Sequence, residues 1–455
     1  MRALDTDNRL IPPVSVSELE SQQLFKKVMW KLVPILFIAY VFAFLDRVNI
    51  GYAKLQMQEV VGFTDSQYAF AAGIFFVGYA LFEIPSNILL GKIGARKTLT
   101  RIMVLWGLAS ASTMFVTTTQ QFYFLRLLLG IFEAGFFPGI MLYISFWFPS
   151  YMQGRVVSTL ILATLIAPIV GGPLSGIIMT EMNGFHGLAG WQWMFLLEAA
   201  PIVLIGVICY FYLTDKPESS RWLSARERDL HQSIMEQDRK SNPNRGDDHQ
   251  AHGFMASLAC LLDFRVYLLA ALAFAAYCGS IGFNFWMPTM IKEMGVTNIA
   301  HVSFYAVIPF SLAAVGMILV GRSSDKFRER RWHYTLSMLF GAAMMILAAY
   351  WEGGLISRLI ILGFAGFGFS GGVVVAWSLP SAYLKDKTAP AGIAMVSTLA
   401  TCSGLFAPWV IGYAREMTNS NAGGLIAMGV VMIVAALLMA FVVPAKAVYV
   451  AKHGK

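Results

Sequence analysis

Four ionisable residues stand inside runs that are otherwise apolar: Asp46, Arg47, Arg126 and Glu133. An Arg or Asp at the centre of a bilayer costs on the order of 2.5–3.5 kcal/mol, so the four together oppose insertion by roughly 10 kcal/mol before pairing. Such residues must face one another or a wet cavity. Arg126, Gly130 and Glu133 follow i, i+4, i+7 spacing and share one helix face, with Arg126 and Glu133 about 10 Å apart along the axis. They can line one cavity without pairing directly. Asp46 and Arg47 point about 100° apart, so one can face a cavity while the other contacts a neighbouring helix; the spacing does not say which. An arginine fork matches a carboxylate with two hydrogen bonds. Two cavity arginines therefore point to an anionic substrate. Asp and Glu can carry protons, because burial and a nearby arginine move a carboxyl in opposite directions. The competing reading is two structural ion pairs that hold the first and fourth spans together. Glu83 and Glu198 read as packing or structural contacts.

The elements that must hold these residues are membrane helices. Of 455 residues, 57% are hydrophobic and 13% charged, against about 25% charged in ordinary soluble chains. That excludes a cytosolic enzyme, a nucleic-acid binder and a disordered chain. The net charge of +8 sits between apolar runs and sets orientation. Twelve runs are long enough to cross a bilayer, near 32–52, 68–90, 99–117, 122–146, 156–179, 191–213, 266–290, 303–321, 333–351, 357–381, 391–414 and 423–445. Six spans fall in an N-terminal bundle, 32–213, and six in a C-terminal bundle, 266–445. They are joined by a charged, solvated linker, 214–265, with a short surface helix around Glu227–Leu230. Residues 1–31 and 446–455 are tails, and no removable signal peptide is expected.

Of 34 Lys and Arg residues, Lys54, Lys292, Arg358 and Arg415 fall on one side, Arg47 and Arg126 fall within spans, and the rest fall on the side of the N-terminus. Both termini are therefore expected in the cytoplasm. The cysteines Cys209, Cys260, Cys278 and Cys402 lack C-x-x-C spacing, so neither a zinc site nor a disulfide framework is expected. No phosphate loop is present, which argues against ATP drive.

A basic loop recurs after the second span of each half: Gly91-Lys92-Ile93-Gly94-Ala95-Arg96-Lys97, and Gly321 through Asp325, Lys326 and Arg330 to Arg331. These loops resemble the major facilitator superfamily signature G-x-x-x-D-[RK]-x-G-[RK]-[RK], with Asn87 and Gly91 departing from it in the first half. The resemblance implies that the loop braces the two halves. Phe44-Leu45-Asp46-Arg47-Val48-Asn49, the stretch from Arg126 through Gly130, Glu133 and Gly135 to Pro138-Gly139, and Asp215-Lys216-Pro217 through Trp222-Leu223 resemble the anion:cation symporter family within it. That family includes bacterial tartrate, hydroxyphenylacetate, phthalate and sugar-acid permeases.

The resemblance implies an all-α major facilitator fold of twelve transmembrane helices. It implies carboxylate contacts for Arg47 and Arg126 and proton coupling through Asp46 and Glu133. Substrate contacts are further implied for Tyr79 in span 2 and for Trp377 with Ser378 in span 10. Span 11 departs from the family, reading Ser397 and Thr401 where amides are common, which leaves room for a smaller or aromatic acid. Gly135-x-x-x-Gly139 reads as a close helix contact, and Pro138, Pro168 and Pro173 as helix bends.

The expected function is proton-coupled uptake of a small organic carboxylate by a monomer in a bacterial inner membrane. Protons are the coupling ion, no cofactor is needed, and no nucleic acid is bound. The alternatives are an uncoupled facilitator or channel and a drug:proton antiporter; a membrane enzyme or sensor lacks any supporting motif.

Overall fold

The computed structural model describes residues 16–241, 263–384 and 389–444. The chain before the linker forms α1 (Val16–Val61), α2 (Asp65–Ile93), α3 (Ala95–Ser112), α4 (Thr119–Glu133), α5 (Phe136–Trp147), α6 (Ser150–Ile161), α7 (Ala163–Ile166), α8 (Gly172–Glu181) and α9 (Gly190–Tyr212). The linker holds α10 (Ala225–Ser241), and the rest of the chain forms α11 (Phe264–Glu293), α12 (Ile299–Phe327), α13 (Arg331–Tyr350), α14 (Leu355–Tyr383), α15 (Ala389–Thr401), α16 (Ser403–Thr418) and α17 (Ala422–Phe441).

Among the described residues, eleven helical stretches are long and apolar enough to cross a membrane. The expected third span is α3, whose first two turns carry Arg96, Lys97 and Arg101 and dilute its apolar character. Local chemistry sets several starts. Thr64 and Thr118 cap α2 and α4, each with a reciprocal Gln three residues on, a pattern that satisfies the free N–H groups of a first turn.

Three expected spans are broken rather than continuous. The fourth divides into α4 and α5 at Ala134-Gly135, where Gly135 takes a left-handed φ of 83° that a side chain would resist. The fifth runs through α6, α7, a π turn at Ala167–Gly171 and α8, with Pro168 inside the turn. The eleventh divides into α15 and α16 at Cys402. The 214–265 linker is not simply solvated. Its helix α10 is longer than expected and docks on the first half: His231 is buried and its Nε2 lies 3.0 Å from the Trp147 carbonyl. Trp222 stacks on Trp147 at 5.4 Å, and Asp238 accepts from Ser150 Oγ at 2.6 Å.

One apolar cluster lies within the first half. A second fills the other half and continues into Val48–Ala72 and Met179–Phe195 of the first, so the halves share one core at that end. Polar contacts concentrate there too. Tyr68 OH donates to the Phe285 carbonyl at 3.1 Å, and Lys292 Nζ to the Leu55 carbonyl at 3.1 Å. Thr180 Oγ1 accepts from Ala300 N at 3.1 Å. Lys54, almost fully buried, pairs with Asp65 at 2.7 Å and lies 4.1 Å from the Trp286 ring centroid. Asp65 also accepts from Arg415 Nε at 2.6 Å, and Arg415 pairs with Glu293.

The basic loops make their contacts locally in this structure. In the first half, Arg96 N donates to Asp215 Oδ1 at 2.8 Å, at the start of the linker. In the second, Arg330 pairs with Asp325 at 2.6 Å within its own loop.

Candidate functional site

Glycines bring α4 against α2. A Cβ on Gly130 would collide with the Phe75 carbonyl, and one on Gly78 would lie 2.6 Å from the Leu127 carbonyl. This approach buries Arg126 and Glu133 together on the inner face of α4. Glu133 is the last residue of α4, held in place by the break that follows it.

Glu133 pairs with Arg47, not with Arg126 on its own helix. Arg47 Nε and NH2 both donate to Glu133 Oε1, at 2.9 and 2.5 Å. The Glu133 side chain is fully buried, whereas that of Arg47 is 24% exposed. Glu133 Oε2 is buried with no hydrogen-bond partner among the described residues. The Arg47 guanidinium lies 5.1, 5.6 and 5.3 Å from the ring centroids of Phe44, Phe75 and Tyr79, within the range of cation–π attraction. Tyr79 is therefore beside Arg47, as one wall of its aromatic setting.

Asp46, next in sequence, turns the other way. Its Oδ2 accepts from Trp106 Nε1 at 2.9 Å, and its Oδ1 accepts from Ser110 Oγ and, at 3.5 Å, from Asn49 Nδ2. Trp106 and Ser110 stand i, i+4 on α3. Asp46 is thus a buried carboxyl facing α3, and the question left open by the spacing at 46–47 is answered: Arg47 is the partly exposed member. Arg126 is also buried. Its Nε donates to the Ala71 carbonyl at 3.3 Å, its guanidinium carbon lies 4.9 Å from the Phe75 centroid, and its NH2 has no partner among the described residues. Phe75 therefore stands between the two arginines.

Trp377 and Ser378 belong to the other half, on α14. Trp377 is 41% exposed, and its Nε1 donates to Tyr277 OH at 2.5 Å. Tyr277, on α11, is within electrostatic range of Arg47 and Tyr40 across the interface. Ser378 Oγ donates back to its own helix at the Val375 carbonyl, 2.7 Å away. Thr398 and Thr401 do the same, to Ala394 and Ser397. The second half thus presents the aromatic pair Tyr277 and Trp377, and these hydroxyls donate to backbone.

Sequence reasoning missed Trp106, Ser110, Asn49 and Ser175 as partners of buried acids. The i, i+4 pairing of Trp106 with Ser110 on an apolar helix was the available signal. Glu198, read as structural, is buried, accepting from Asn49 Nδ2 at 3.0 Å and from Ser175 Oγ at 2.6 Å.

Residues 36–408 match the profile of the Major Facilitator Superfamily. A chain of Agrobacterium vitis ascribed to tartrate transport is 41% identical over 93% of this chain and 95% of its own length. A quinolone resistance transporter of Acinetobacter baumannii is 34% identical over 93% of this chain and 96% of its own length. Among solved structures, a D-xylose–proton symporter superposes with a TM-score of 0.71 at 16% identity, covering 92% of this chain and 98% of that one. The all-helical fold, the two halves joined at one end and these likenesses lead to one assignment: the chain belongs to the Major Facilitator Superfamily and is a multi-pass membrane transporter rather than an enzyme.

Proposed function

We propose that the chain imports a small organic carboxylate together with protons, the anion and Glu133 competing for Arg47. The observation that carries this reading is the Arg47–Glu133 pair, at 2.9 and 2.5 Å between α1 and α4, in which only the arginine reaches exposed surface. An arriving carboxylate offers Arg47 a two-oxygen partner, where Glu133 supplies Oε1 alone. Once displaced, Glu133 is a fully buried carboxyl without a cation, which is costly as an anion and acceptable as a neutral acid. Anion entry therefore draws a proton onto Glu133. Arg126, with an unpaired NH2 behind Phe75, supplies a second cation for a dicarboxylate. Asp46 serves as a second proton site, and the Tyr79 phenol and the Trp377–Ser378 wall complete the contacts.

The substrate class is a hydroxylated dicarboxylate, sugar acid or aromatic carboxylate; the relative ascribed to tartrate supports the first of these. The chain acts as a monomer in a bacterial inner membrane with both termini cytoplasmic. The halves 32–213 and 266–445 rock about the site, without a cofactor. In that orientation the closed end, with Lys54, Asp65, Glu293 and Arg415, is the external one, and the site opens inward.

A second reading, drug export against protons, is favoured by the quinolone resistance relative. Proteoliposomes separate the two. A thermal-shift screen of carboxylates at two pH values selects the substrate, and an imposed inward proton gradient then drives its accumulation. Proton-driven extrusion of a drug, with no carboxylate accumulated, would support export instead. A reporter fused after residue 455 is expected in the cytoplasm and one near Gly187 outside; a cytoplasmic reporter at Gly187 breaks the assumed orientation.

A further inference from the structure

Lys54 sits where α1 of the first half meets α11 of the second. Its side chain is 1% exposed. Its Nζ pairs with Asp65 Oδ1 of α2 at 2.7 Å and donates to Thr289 Oγ1 of α11 at 3.4 Å. It also lies 4.1 Å from the Trp286 ring centroid and 5.0 Å from that of Tyr68. An ammonium has three donors. The first half supplies the charged acceptor, Asp65, while the Thr289 oxygen and the Trp286 ring belong to the second half.

The register of α1 ties this lysine to the arginine of the site. Arg47, Gly51 and Lys54 follow i, i+4, i+7 spacing within the continuous helix α1, so they share a face, with the two cations about 10 Å apart along the axis. Gly51 marks the closure between them. A Cβ there would lie 3.0 Å from the Phe285 carbonyl and 3.3 Å from that of Asn284. The two helices press together at Gly51, with Arg47 on the inner side of the contact and Lys54 on the outer.

The ion pairs at this end divide by half. Lys54 pairs with Asp65 inside the first half, and Arg415 with Glu293 inside the second. Asp65–Arg415 at 2.6 Å and Lys292–Glu59 at 3.8 Å cross between them. When the halves part, Lys54 and Arg415 each keep an acid of their own half, so opening strands neither charge. It does take Thr289 and Trp286 away from Lys54, and the donors they covered turn to the opened mouth. A buried ion pair holds a contact no better than apolar side chains of similar size, so closure alone does not call for a lysine here.

We infer that Lys54 is the outer capture point for the transported carboxylate: as this end opens, the anion's oxygens replace Thr289 and Trp286 on the ammonium, and the anion then moves two turns along α1 to Arg47. The inference rests on the proposed import and orientation, in which this end is external. The part of Lys54 is in entry, and the exchange between Arg47 and Glu133 proceeds without it.

The test compares the two faces of the membrane. Intact cells present the outer face and inside-out vesicles the inner one. Initial rates are measured in both with labelled tartrate, gluconate and hydroxybenzoate, one for each carboxylate class above. Lys54→Met keeps a side chain of similar length and leaves Asp65 with Arg415. It should lower kcat/KM for uptake by cells about tenfold, the low end of what electrostatic steering supplies. The kcat should hold, and the salt dependence of kcat/KM should flatten. Half-saturation of counterflow at the inner face should match the wild type, as should labelling of a cysteine placed at the buried Ser303 of the closed end. Lys54→Gln, which loses the charge and keeps a donor for Asp65, should behave alike and keeps the test available if Lys54→Met does not fold. An unchanged kcat/KM for uptake overturns the inference. So does a fall that is equal at both faces or comes with faster labelling at Ser303, which would make Lys54 a structural part of the closed end. Wild-type uptake of none of the three acids removes the import reading and the inference together, whereas wild-type uptake that both variants leave unchanged removes the inference alone.

Discussion

The two halves of this transporter share a fold and divide the chemistry unequally. Asp46, Arg126, Glu133 and Glu198 are buried in the first half, with Arg47 at its surface. In the second, the stretches 266–291, 299–321, 332–351, 359–384, 389–414 and 422–441 contain no Asp, Glu, Lys or Arg. What it presents is Tyr277 and Trp377. Charge inside a bilayer is costly, and a compensated set is cheapest when its members sit in one rigid body whose internal distances need not change. One half can then handle anion and proton while the other supplies shape. The second half contributes charge at the closed end, where Arg415 bridges Asp65 and Glu293.

The largest effect is expected where the halves share charge. Asp65→Asn leaves Lys54, buried at 1% exposure, without its 2.7 Å partner. Breaking one side of a buried pair costs about 3–5 kcal/mol. The closed end should loosen, read as faster labelling of a cysteine placed at Ser303; unchanged labelling would show that the shared apolar core alone holds it shut. Next comes Arg47→Lys, which keeps the charge and loses the fork. Hydrogen bonds to charged groups contribute about 1.5–3 kcal/mol, so carboxylate affinity should fall about 10- to 150-fold. Arg126→Lys should also weaken binding. Normal transport by both variants would make the first-half charges purely structural.

Trp377→Phe probes the uncharged half. It removes one donor to Tyr277 and should cost about 0.5–1.5 kcal/mol, seen as altered preference among carboxylates with the proton dependence intact. A changed proton dependence would blur the division between the halves. The smallest effect concerns α10, which docks on the first half. Burial holds the His231 imidazole below its ordinary value, against the opposing pull of the Trp147 carbonyl. The docked state thus binds fewer protons than the undocked one, so docking is strongest above about pH 6.5 and weakens as pH falls through the depressed value. The protection of α10 amides relative to their intrinsic exchange rates should fall on acidification, and His231→Phe should flatten that response.

Much of this division can be read from residue type alone. Charges at 46, 47, 126 and 133 inside apolar runs announce a polar interior, and the Lys and Arg pattern supports the count of spans. Helical spacing places Arg126 and Glu133 on one face but does not give the rotation of α1 against α4, so the pairing of Glu133 with Arg47 was not legible. The break at Ala134-Gly135 was hidden because Gly135 and Gly139 also fit a close-contact motif, and close contacts do exist there: a Cβ on Gly135 would lie 2.6 Å from Ser86 Oγ. The partners of Glu198, Asn49 and Ser175, were not legible because they are remote from it in sequence. The docking of α10 was masked by its polar composition, which the single buried His231 and the preceding Trp222 do not overturn by pattern alone.

The central claim is that the anion and Glu133 exchange on Arg47 and that a proton accompanies the exchange. Glu133→Gln imitates the protonated acid. Paired uptake and counterflow in proteoliposomes under an imposed pH gradient test it most directly. The variant should bind carboxylate with weaker pH dependence and catalyse counterflow, which needs no net proton movement, yet fail to accumulate substrate. Full proton-driven accumulation by Glu133→Gln would contradict the account and leave Glu133 as a structural partner of Arg47.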